Sequence, residues 1–349
     1  MTMPPNTETF VDILSQPPQS RFKRIAIAPG DPAGIGYEIT VQALAEPSIR
    51  QLLARTIVVV YAHAGLWQRA VELFAPSLTT SRVLSAENAL EPGQIYLVDP
   101  GVFIDMHRFV PGQMDAACAS CAHQALMQIV RDVQNHWIDG ICTGPIHKGA
   151  MRLAAVKAIG HTEMLAEAFG ADNPMTLFIT RNLRIFFYSR HLSLKQAIEA
   201  LDTSKIIDFA VHMHTQMKQL GFETPHLAMA ALNPHASDGG QFGNEEADIL
   251  TPAAECIRAL GIDITNPIGA DSVFAQAAAG QFDAVLSLYH DQGHIAAKTY
   301  DFERTISATL GLPCLRTSVD HGTAFDIAWK GLAQTISMQT AIENLMRYI

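Results

Sequence analysis

The chain has 349 residues, of which 48% are hydrophobic and 17% are charged, and its net charge is −10. This length favours two domains of about 100–200 residues each, and the composition excludes a disordered chain. The acidic balance argues against nucleic acid as a partner, because like charges repel. A small anionic substrate remains possible where basic residues cluster locally.

Targeting signals are missing from the N-terminal sequence. It has no basic start followed by an apolar stretch, as a signal peptide would, and no apolar run reaches the roughly 18–20 residues that span a bilayer. The five cysteines form no regular framework, which indicates free thiols in a reducing compartment. We therefore expect a cytoplasmic protein without a membrane partner, in which residues 1–22 are a polar leader.

The first part of the chain alternates between two kinds of pattern. Short apolar runs bounded by turn residues predict strands at 25–28, 56–61, 94–98 and 138–143. The segment 114–135 has apolar residues at helical spacing. Alternation of this kind predicts an α/β fold with a largely parallel sheet.

The middle of the chain changes character. The segments 176–180 and 183–188 predict a hairpin around Arg181 and Asn182, and a helix is expected from Ser193, a good N-cap. Further strands are predicted at 226–232 and 281–289, and a last helix from about 331 to the end.

Three histidines follow predicted strands: His191, His235 and His290. Ligand sites in parallel α/β sheets lie beyond the carboxyl ends of strands, and imidazole is the commonest metal ligand. However, a chain with 14 histidines also places some at strand ends by chance. The residues alone leave both interpretations open.

Two other patterns have an ordinary structural alternative. The glycine-rich segment 29–36 could cradle an anion at the start of a helix near Glu38, although its spacing is not the dinucleotide fingerprint; a tight strand–helix turn explains it equally well. Cys118 and Cys121 form a C-x-x-C in the middle of the predicted helix. Redox pairs need a helix N-terminus, so core positions are favoured.

Six segments together resemble the 4-hydroxythreonine-4-phosphate dehydrogenase family. They occur in the family's order, and the resemblance covers the chain from about residue 23 to its end. The segments are 28–36 (APGDPAGIG), 143–149 (TGPIHKG), 160–163 (GHTE), 233–236 (NPHA), 289–293 (YHDQG) and 316–324 (RTSVDHGTA).

The resemblance implies a two-domain α/β/α fold like that of isocitrate dehydrogenase, with the active site in the interdomain cleft. One domain would comprise residues 23–142 with 310–349. Residues 143–309 would form the other, carrying the metal ligands and the interface of a homodimer.

The resemblance also assigns site residues. A divalent metal, zinc by preference with magnesium, manganese or cobalt as alternatives, would be bound by His191, His235 and His290 and shared between subunits. The cofactor would be NAD, for which no binding residue is assigned. The substrate-contacting positions are His161, Thr162, Lys298, Ser307 and Arg316. The general base is unassigned, and the candidates by chemistry alone are His147, Lys148, Asp271 and Asp320.

Ser307 departs from the family pattern, which has an asparagine at this position. Serine is shorter and has one hydroxyl, so a phosphate site would lose a donor, unless a bridging water replaces it. We interpret Ser307 as evidence for a paralogue of the family that acts on another acidic substrate. Relatives of the family act on 4-phosphorylated threonate or erythronate, or on the cis-dihydrodiol of terephthalate. The alternative substrate is the vitamin B6 intermediate, 4-hydroxythreonine 4-phosphate.

The implied reaction is the NAD-dependent oxidation of a secondary alcohol β to a carboxylate, followed by decarboxylation. Two other classes are consistent with the residues. A metal-dependent hydrolase or lyase would use the same three histidines to activate water. A non-catalytic binding protein would use the cleft alone.

Overall fold

In the computed structural model, residues 22–88, 91–157 and 160–349 are described. All but the last residue of the expected leader lies outside these ranges. The strands are β1 (Arg24–Ala28), β2 (Ile57–Tyr61), β3 (Ser81–Val83), β4 (Ile95–Val98), β5 (Gly140–Thr143), β6 (Met175–Thr180), β7 (Leu183–Phe187), β8 (Leu227–Ala230), β9 (Ile264–Ile268), β10 (Ala284–Ser287), β11 (Thr305–Leu310) and β12 (Leu315–Val319).

Helices connect most of these strands. They are α1 (Gly36–Ala45), α2 (Pro47–Leu52), α3 (Ala64–Phe74), α4 (Ala116–Gln134), α5 (Lys148–Leu153), α6 (His161–Phe169), α7 (Leu194–Glu199), α8 (Thr203–Gln219), α9 (Thr251–Ala259), α10 (Ala270–Ala278), α11 (His290–Tyr300) and α12 (Ile336–Tyr348).

One twelve-stranded sheet runs through the described residues, in the order β3-β4-β2-β1-β5-β12-β11-β6-β7-β10-β8-β9. Pairing is antiparallel only between β12 and β11, β11 and β6, and β6 and β7. The strands β1–β5 and β12 therefore form one half of the sheet, and β6–β11 form the other. The bounds of the two domains stay a prediction. The helices α5 and α6 follow the predicted boundary at residue 142, yet they pack on α4, which precedes it.

The predicted strands and hairpin are confirmed, as is the cap of α7. The Ser193 side chain accepts a hydrogen bond from the Gln196 N–H, and the two residues form a capping box. The start of the last helix was predicted too early. Gly331 has a left-handed φ of 70°, which interrupts the pattern, and α12 begins at Ile336.

Helices cover both faces of the sheet. On one face, α4 and α6 pack on the first half of the sheet, and α10 and α11 pack on the second half. On the other face lie α1, α3, α8, α9 and α12. Burial on both faces explains why a strand such as β2 is apolar at every position.

The glycine-rich segment is a tight turn between β1 and α1. A Cβ on Gly36 would lie 1.9 Å from the Pro29 carbonyl oxygen, and one on Gly30 would lie 2.1 Å from that of Pro145. Glycine is therefore required by close backbone approach.

The prediction that Cys118 and Cys121 lie in the middle of the helix was wrong, because α4 begins at Ala116 and the Asp115 N-cap accepts a hydrogen bond from the Cys118 N–H. Both thiols are nevertheless buried, and burial raises the pKa of the Cys121 thiol to about 12. The core interpretation of this pair is consistent with these observations.

Within the described ranges, none of the helices combines the length and the hydropathy needed to cross a membrane.

Candidate active site

The centre of the sheet carries a polar strip on one face. Side chains of directly opposed residues lie on the same face of a sheet, so the strand register defines two neighbouring rows. One row contains Thr143, Ser318, Ser307 and Phe178. The other contains Arg316, Thr309 and Thr176. Hydroxyl groups and one guanidinium therefore line the floor of the site, which spans β5, β12, β11 and β6.

Two helices border this strip. On one side α6 packs through Met164 and Leu165 into the same cluster as Ile141 of β5. On the other side α11 lies over β6, where the ring of His294 is 4.3 Å from that of Phe178. The strip thus lies between α6 and α11. Two of the sequence-assigned substrate residues, Ser307 and Arg316, lie on its floor, and two more, His161 and Thr162, begin the bordering helix α6.

Arg316 is the charged group of the floor, and it is only 4% exposed. It donates to Thr143 Oγ1 from Nε (3.0 Å) and Nη2 (2.8 Å), and to Thr309 Oγ1 from Nη1 (3.0 Å). Among the described residues, no carboxylate lies within the 4.0 Å of an ion pair. Burial lowers the pKa of Arg316 to about 10, so it remains positively charged at neutral pH.

His161, the first residue of α6, lies close enough to Arg316 to be affected by its charge. Burial, and then the positive charge of Arg316, lower the pKa of the imidazole well below 6.5. The ring is therefore neutral at neutral pH and can donate one hydrogen bond and accept another. The N-cap, Gly160, provides no side-chain hydrogen bond to the start of α6. The carboxylate of Glu163, in the first turn of α6, lies against Gly160, so negative charge is already present at this helix N-terminus.

Lys298 lies on α11 and forms an ion pair with Asp320, which follows β12 (Nζ–Oδ2 2.7 Å). His290, His294 and Lys298 are spaced four residues apart, so they share one face of the helix. The ion pair connects α11 to the first half of the sheet. It thereby places an ammonium group at the border of the polar strip.

Two of the three assigned metal ligands meet in one chain. The ring centres of His191 and His290 are 6.3 Å apart. Two imidazoles on one tetrahedral ion place their ring centres about 5.3 Å apart, given metal–nitrogen bonds of about 2.1 Å. The observed separation is about 1 Å longer, and the His290 ring stacks on that of His294, with ring centres 3.7 Å apart. His290 Nδ1 is 2.6 Å from Asp291 Oδ1, which leaves Nε2 as the nitrogen available to a metal. The two rings are therefore near the spacing of a shared ion and would have to approach each other to bind one.

The third assigned ligand is separate. His235 begins a left-handed loop, with φ of 54° at His235, 52° at Ala236, 64° at Ser237 and 45° at Asp238. Such residues cost about 1–2 kcal/mol each. No group of three metal-binding side chains forms within the described part of one chain. The expected site shared between subunits therefore stays a prediction.

The four candidate bases lie in different surroundings. His147 caps α5 through Nδ1, which accepts from the Ala150 N–H at 3.2 Å, and its ring stacks on Phe325. Lys148 and Asp271 are exposed on α5 and α10. Only Asp320, of these four, contacts an assigned substrate residue, Lys298. Asp320 is therefore the candidate that lies beside the expected substrate residues. The general base itself stays unassigned.

Sequence reasoning missed two residues beside the site. Arg190 donates from Nη1 to the Thr176 hydroxyl, at the end of the row that contains Arg316. The sequence could have indicated Arg190, because it directly precedes His191. Glu246 is buried and accepts hydrogen bonds from the residues that precede His235. No local pattern identifies Glu246, since it lies 13 positions from Asn233.

Fold and site together define a class, namely α/β proteins with a buried guanidinium on one face of the sheet and histidines beside it. The sequence profile of the family described as "Pyridoxal phosphate biosynthetic protein PdxA" matches residues 54–345. The chain belongs to this family. It is 43% identical over 325 residues to a Halalkalibacterium halodurans protein named "Putative D-threonate 4-phosphate dehydrogenase", covering 93% of this chain and 96% of that one.

Solved structures agree with this membership. A 4-hydroxythreonine-4-phosphate dehydrogenase from Klebsiella pneumoniae superposes with a TM-score of 0.83 at 35% identity, covering 93% of this chain and 98% of that one. A terephthalate 1,2-cis-dihydrodiol dehydrogenase from Burkholderia xenovorans gives 0.64 at 28% identity, covering 94% and 98%. The expected isocitrate-dehydrogenase-like α/β fold is confirmed, and the protein is an oxidoreductase that acts on CH–OH groups.

Proposed function

We propose that this protein is an NAD-dependent and divalent-metal-dependent dehydrogenase of a phosphorylated hydroxy acid, of the 4-phospho-threonate or 4-phospho-erythronate type. The observation that carries the proposal is Arg316, a buried guanidinium with two hydroxyl partners and no carboxylate partner among the described residues. The 43% identity to a protein named for D-threonate 4-phosphate supports the same substrate class.

A buried cation without a counterion is costly, because removal from water is not compensated. Arg316 uses three of its five N–H groups on Thr143 and Thr309. One N–H on Nη1 and one on Nη2 remain, and this pair matches two oxygens of a phosphate or carboxylate. The Glu163 carboxylate is near enough to act on the pKa of Arg316 but forms no ion pair with it, so an anionic ligand would supply a directly bound counterion.

Further donors favour phosphate over carboxylate. The start of α6, with His161 and Thr162, and the Lys298 ammonium border the same strip. A phosphate has three oxygens to satisfy and carries more charge than a carboxylate. Ser307 lies between Ser318 and Phe178 on the floor, so its hydroxyl can contribute at short range although it lacks the reach of asparagine.

We propose His191, His235 and His290 as the metal ligands, with His235 contributed by the partner subunit. When bound, the ion would lower the pKa of the substrate alcohol and stabilise the negative charge that develops during decarboxylation. The chain's own part is to orient the substrate. Arg316 and α6 would hold its anionic end, and the neutral His161 would exchange hydrogen bonds without adding charge.

Exposed apolar side chains support a homodimer near the metal ligands. Ile295 (64% exposed), Tyr300 (43%) and Phe302 (67%) lie on or directly after α11, the helix that His290 begins, and Leu192 and Leu194 follow His191. A cavity of about 400 Å³ between α10 and α11 is lined mainly by apolar groups. Contiguous apolar surface of this kind marks interfaces.

The substrate is tested by kcat/KM on three compounds with NAD and a divalent metal. These are 4-phospho-D-threonate, 4-hydroxythreonine 4-phosphate and the terephthalate cis-dihydrodiol. We expect the first to exceed both others by more than tenfold, a difference of about 1.4 kcal/mol in transition-state stabilisation. A tenfold preference for either other compound would replace the proposed substrate while leaving the dehydrogenase class intact.

The same assay separates the other enzyme class. A hydrolase or lyase would convert substrate without forming NADH, so product formation with no rise in NADH absorbance would overturn the proposed reaction.

A further inference from the structure

The loop that presents His235 has a backbone that its sequence does not favour. Four consecutive residues other than glycine, from His235 to Asp238, have φ between 45° and 64°. L-residues rarely adopt this region, and a run of four is rarer than single occurrences. Interactions from outside the loop must therefore stabilise its conformation.

Glu246, on a neighbouring turn, fixes the backbone that leads into this loop. Its side chain is buried, and Oε1 accepts hydrogen bonds from the backbone N–H groups of Leu232 (2.8 Å) and Asn233 (2.7 Å). Oε2 accepts a third from Asn233 Nδ2 at 2.8 Å. No Lys, Arg or His side chain within the described ranges pairs with this carboxylate, so its charge is directed at the entrance of the His235 loop.

Glu245 provides a natural comparison. It contacts the same Asn233 amide through Oε2, at 2.7 Å, but it makes no hydrogen bond to the backbone of the loop within the described structure. It is also partly exposed, whereas Glu246 is buried. The two adjacent carboxylates thus differ in burial and in the backbone that they contact, because Glu246, unlike Glu245, accepts hydrogen bonds from the N–H groups of Leu232 and Asn233.

The turn that carries Glu246 is itself unusual. Residues Glu246–Leu250 form a π-helical turn directly before α9. π-turns are rare and occur mostly at functional sites, because the extra residue changes the direction of the side chains. The turn places the Glu246 carboxylate within hydrogen-bonding distance of the Leu232 and Asn233 N–H groups, which follow β8.

We propose that Glu246 is a positioning residue for the metal centre, which fixes the left-handed loop and thereby the orientation of His235. The inference rests on the proposed role of His235 as a metal ligand. Glu246 does not touch the ion or the substrate. Residues that orient metal ligands typically change metal affinity 10–100-fold when they are replaced.

Cobalt binding to the purified full-length chain tests this. Co²⁺ is titrated into wild type, Glu246→Gln and the control Glu245→Gln, and affinity and the visible absorption spectrum are recorded. We expect Glu246→Gln to weaken Co²⁺ binding by roughly 10–100-fold and to alter the spectrum. Its melting temperature and oligomeric state should stay close to those of wild type, and Glu245→Gln should bind as wild type does.

Equal Co²⁺ affinity and spectrum in wild type and Glu246→Gln would overturn the inference and leave the metal proposal standing. A wild-type chain that binds no Co²⁺ would overturn both. If Glu246→Gln does not fold, Asn233→Ala replaces it, because this change removes only one donor to Glu246. Unaltered Co²⁺ binding by a folded Asn233→Ala chain would then count against the inference.

Discussion

Replacing Arg316 with methionine should have opposite effects on stability and on substrate binding. Methionine has a similar length but no charge and no N–H groups. In the protein without ligand, Arg316 is a buried cation whose partners are the neutral hydroxyls of Thr143 and Thr309. Because a well-packed apolar residue avoids the desolvation cost of a buried charge, we expect the free energy of unfolding to stay the same or to increase.

Binding of the anionic substrate should weaken strongly. The two remaining N–H groups of Arg316 would each form a charge-assisted hydrogen bond, contributing about 1.5–3 kcal/mol apiece. Truncating one partner of a desolvated charge pair costs about 2–5 kcal/mol. Both estimates predict that the binding free energy of the substrate weakens by about 3–5 kcal/mol, which lowers kcat/KM by roughly two to four powers of ten.

Steady-state kinetics and thermal unfolding check the two effects on one preparation. Inorganic phosphate should raise the melting temperature of wild type but not of Arg316→Met. Arg316→Lys keeps the charge but loses the paired N–H groups, so its kcat/KM should fall between the other two. If Arg316→Met lost less than fivefold in kcat/KM, or if phosphate still stabilised it as in wild type, Arg316 would not be the anion-binding residue.

Two further predictions concern the histidines. His191 and His290 meet within one chain, so a mixture of His235→Ala and His290→Ala chains should recover activity. The expected recovery is about a quarter of wild-type activity, because half of the dimers are mixed and each mixed dimer of a two-fold assembly has one intact site. Recovery in a mixture of His191→Ala and His290→Ala chains instead would show that these two ligands come from different subunits. The pKa of His161 is lowered below 6.5 by burial and by Arg316, so the unfolded chain takes up a proton that the folded chain does not, and stability is lost as the pH falls below 6.5. Urea unfolding of His161→Gln from pH 5 to 7.5 should therefore show a weaker dependence on pH, by up to about 1.4 kcal/mol per pH unit; an unchanged dependence would mean that the imidazole is protonated in the folded state.

Local patterns in the sequence were sufficient for the family and for many of the elements, although β3, β9, β11 and β12 were not predicted. The apolar run of β2 and the hairpin of β6 and β7 follow from residues adjacent in the chain. The capping box of α7 spans only Ser193 to Gln196. Such patterns can be recognised without knowing the rest of the fold, because the residues that interact are close together in the sequence.

The composition of the site depended on tertiary structure. Arg316 and Thr143 are 173 positions apart, and they meet because β12 inserts beside β5 after the chain has built the second half of the sheet. The same pairing places Ser307 and Ser318 opposite each other. Strand order is set by the packing of the whole sheet, so no pattern within one segment reveals that Arg316 is buried without a counterion.

The three histidines assigned as metal ligands show the same division. The sequence identified His191, His235 and His290 by their place after strands and by family resemblance. Only the fold brings the rings of His191 and His290 together across the parallel pair β7 and β10. The left-handed loop of His235 follows Asn233, whose backbone N–H donates to a buried carboxylate from a π-turn. Backbone conformations that oppose local preference are stabilised by distant groups, and so they appear only once the chain has folded.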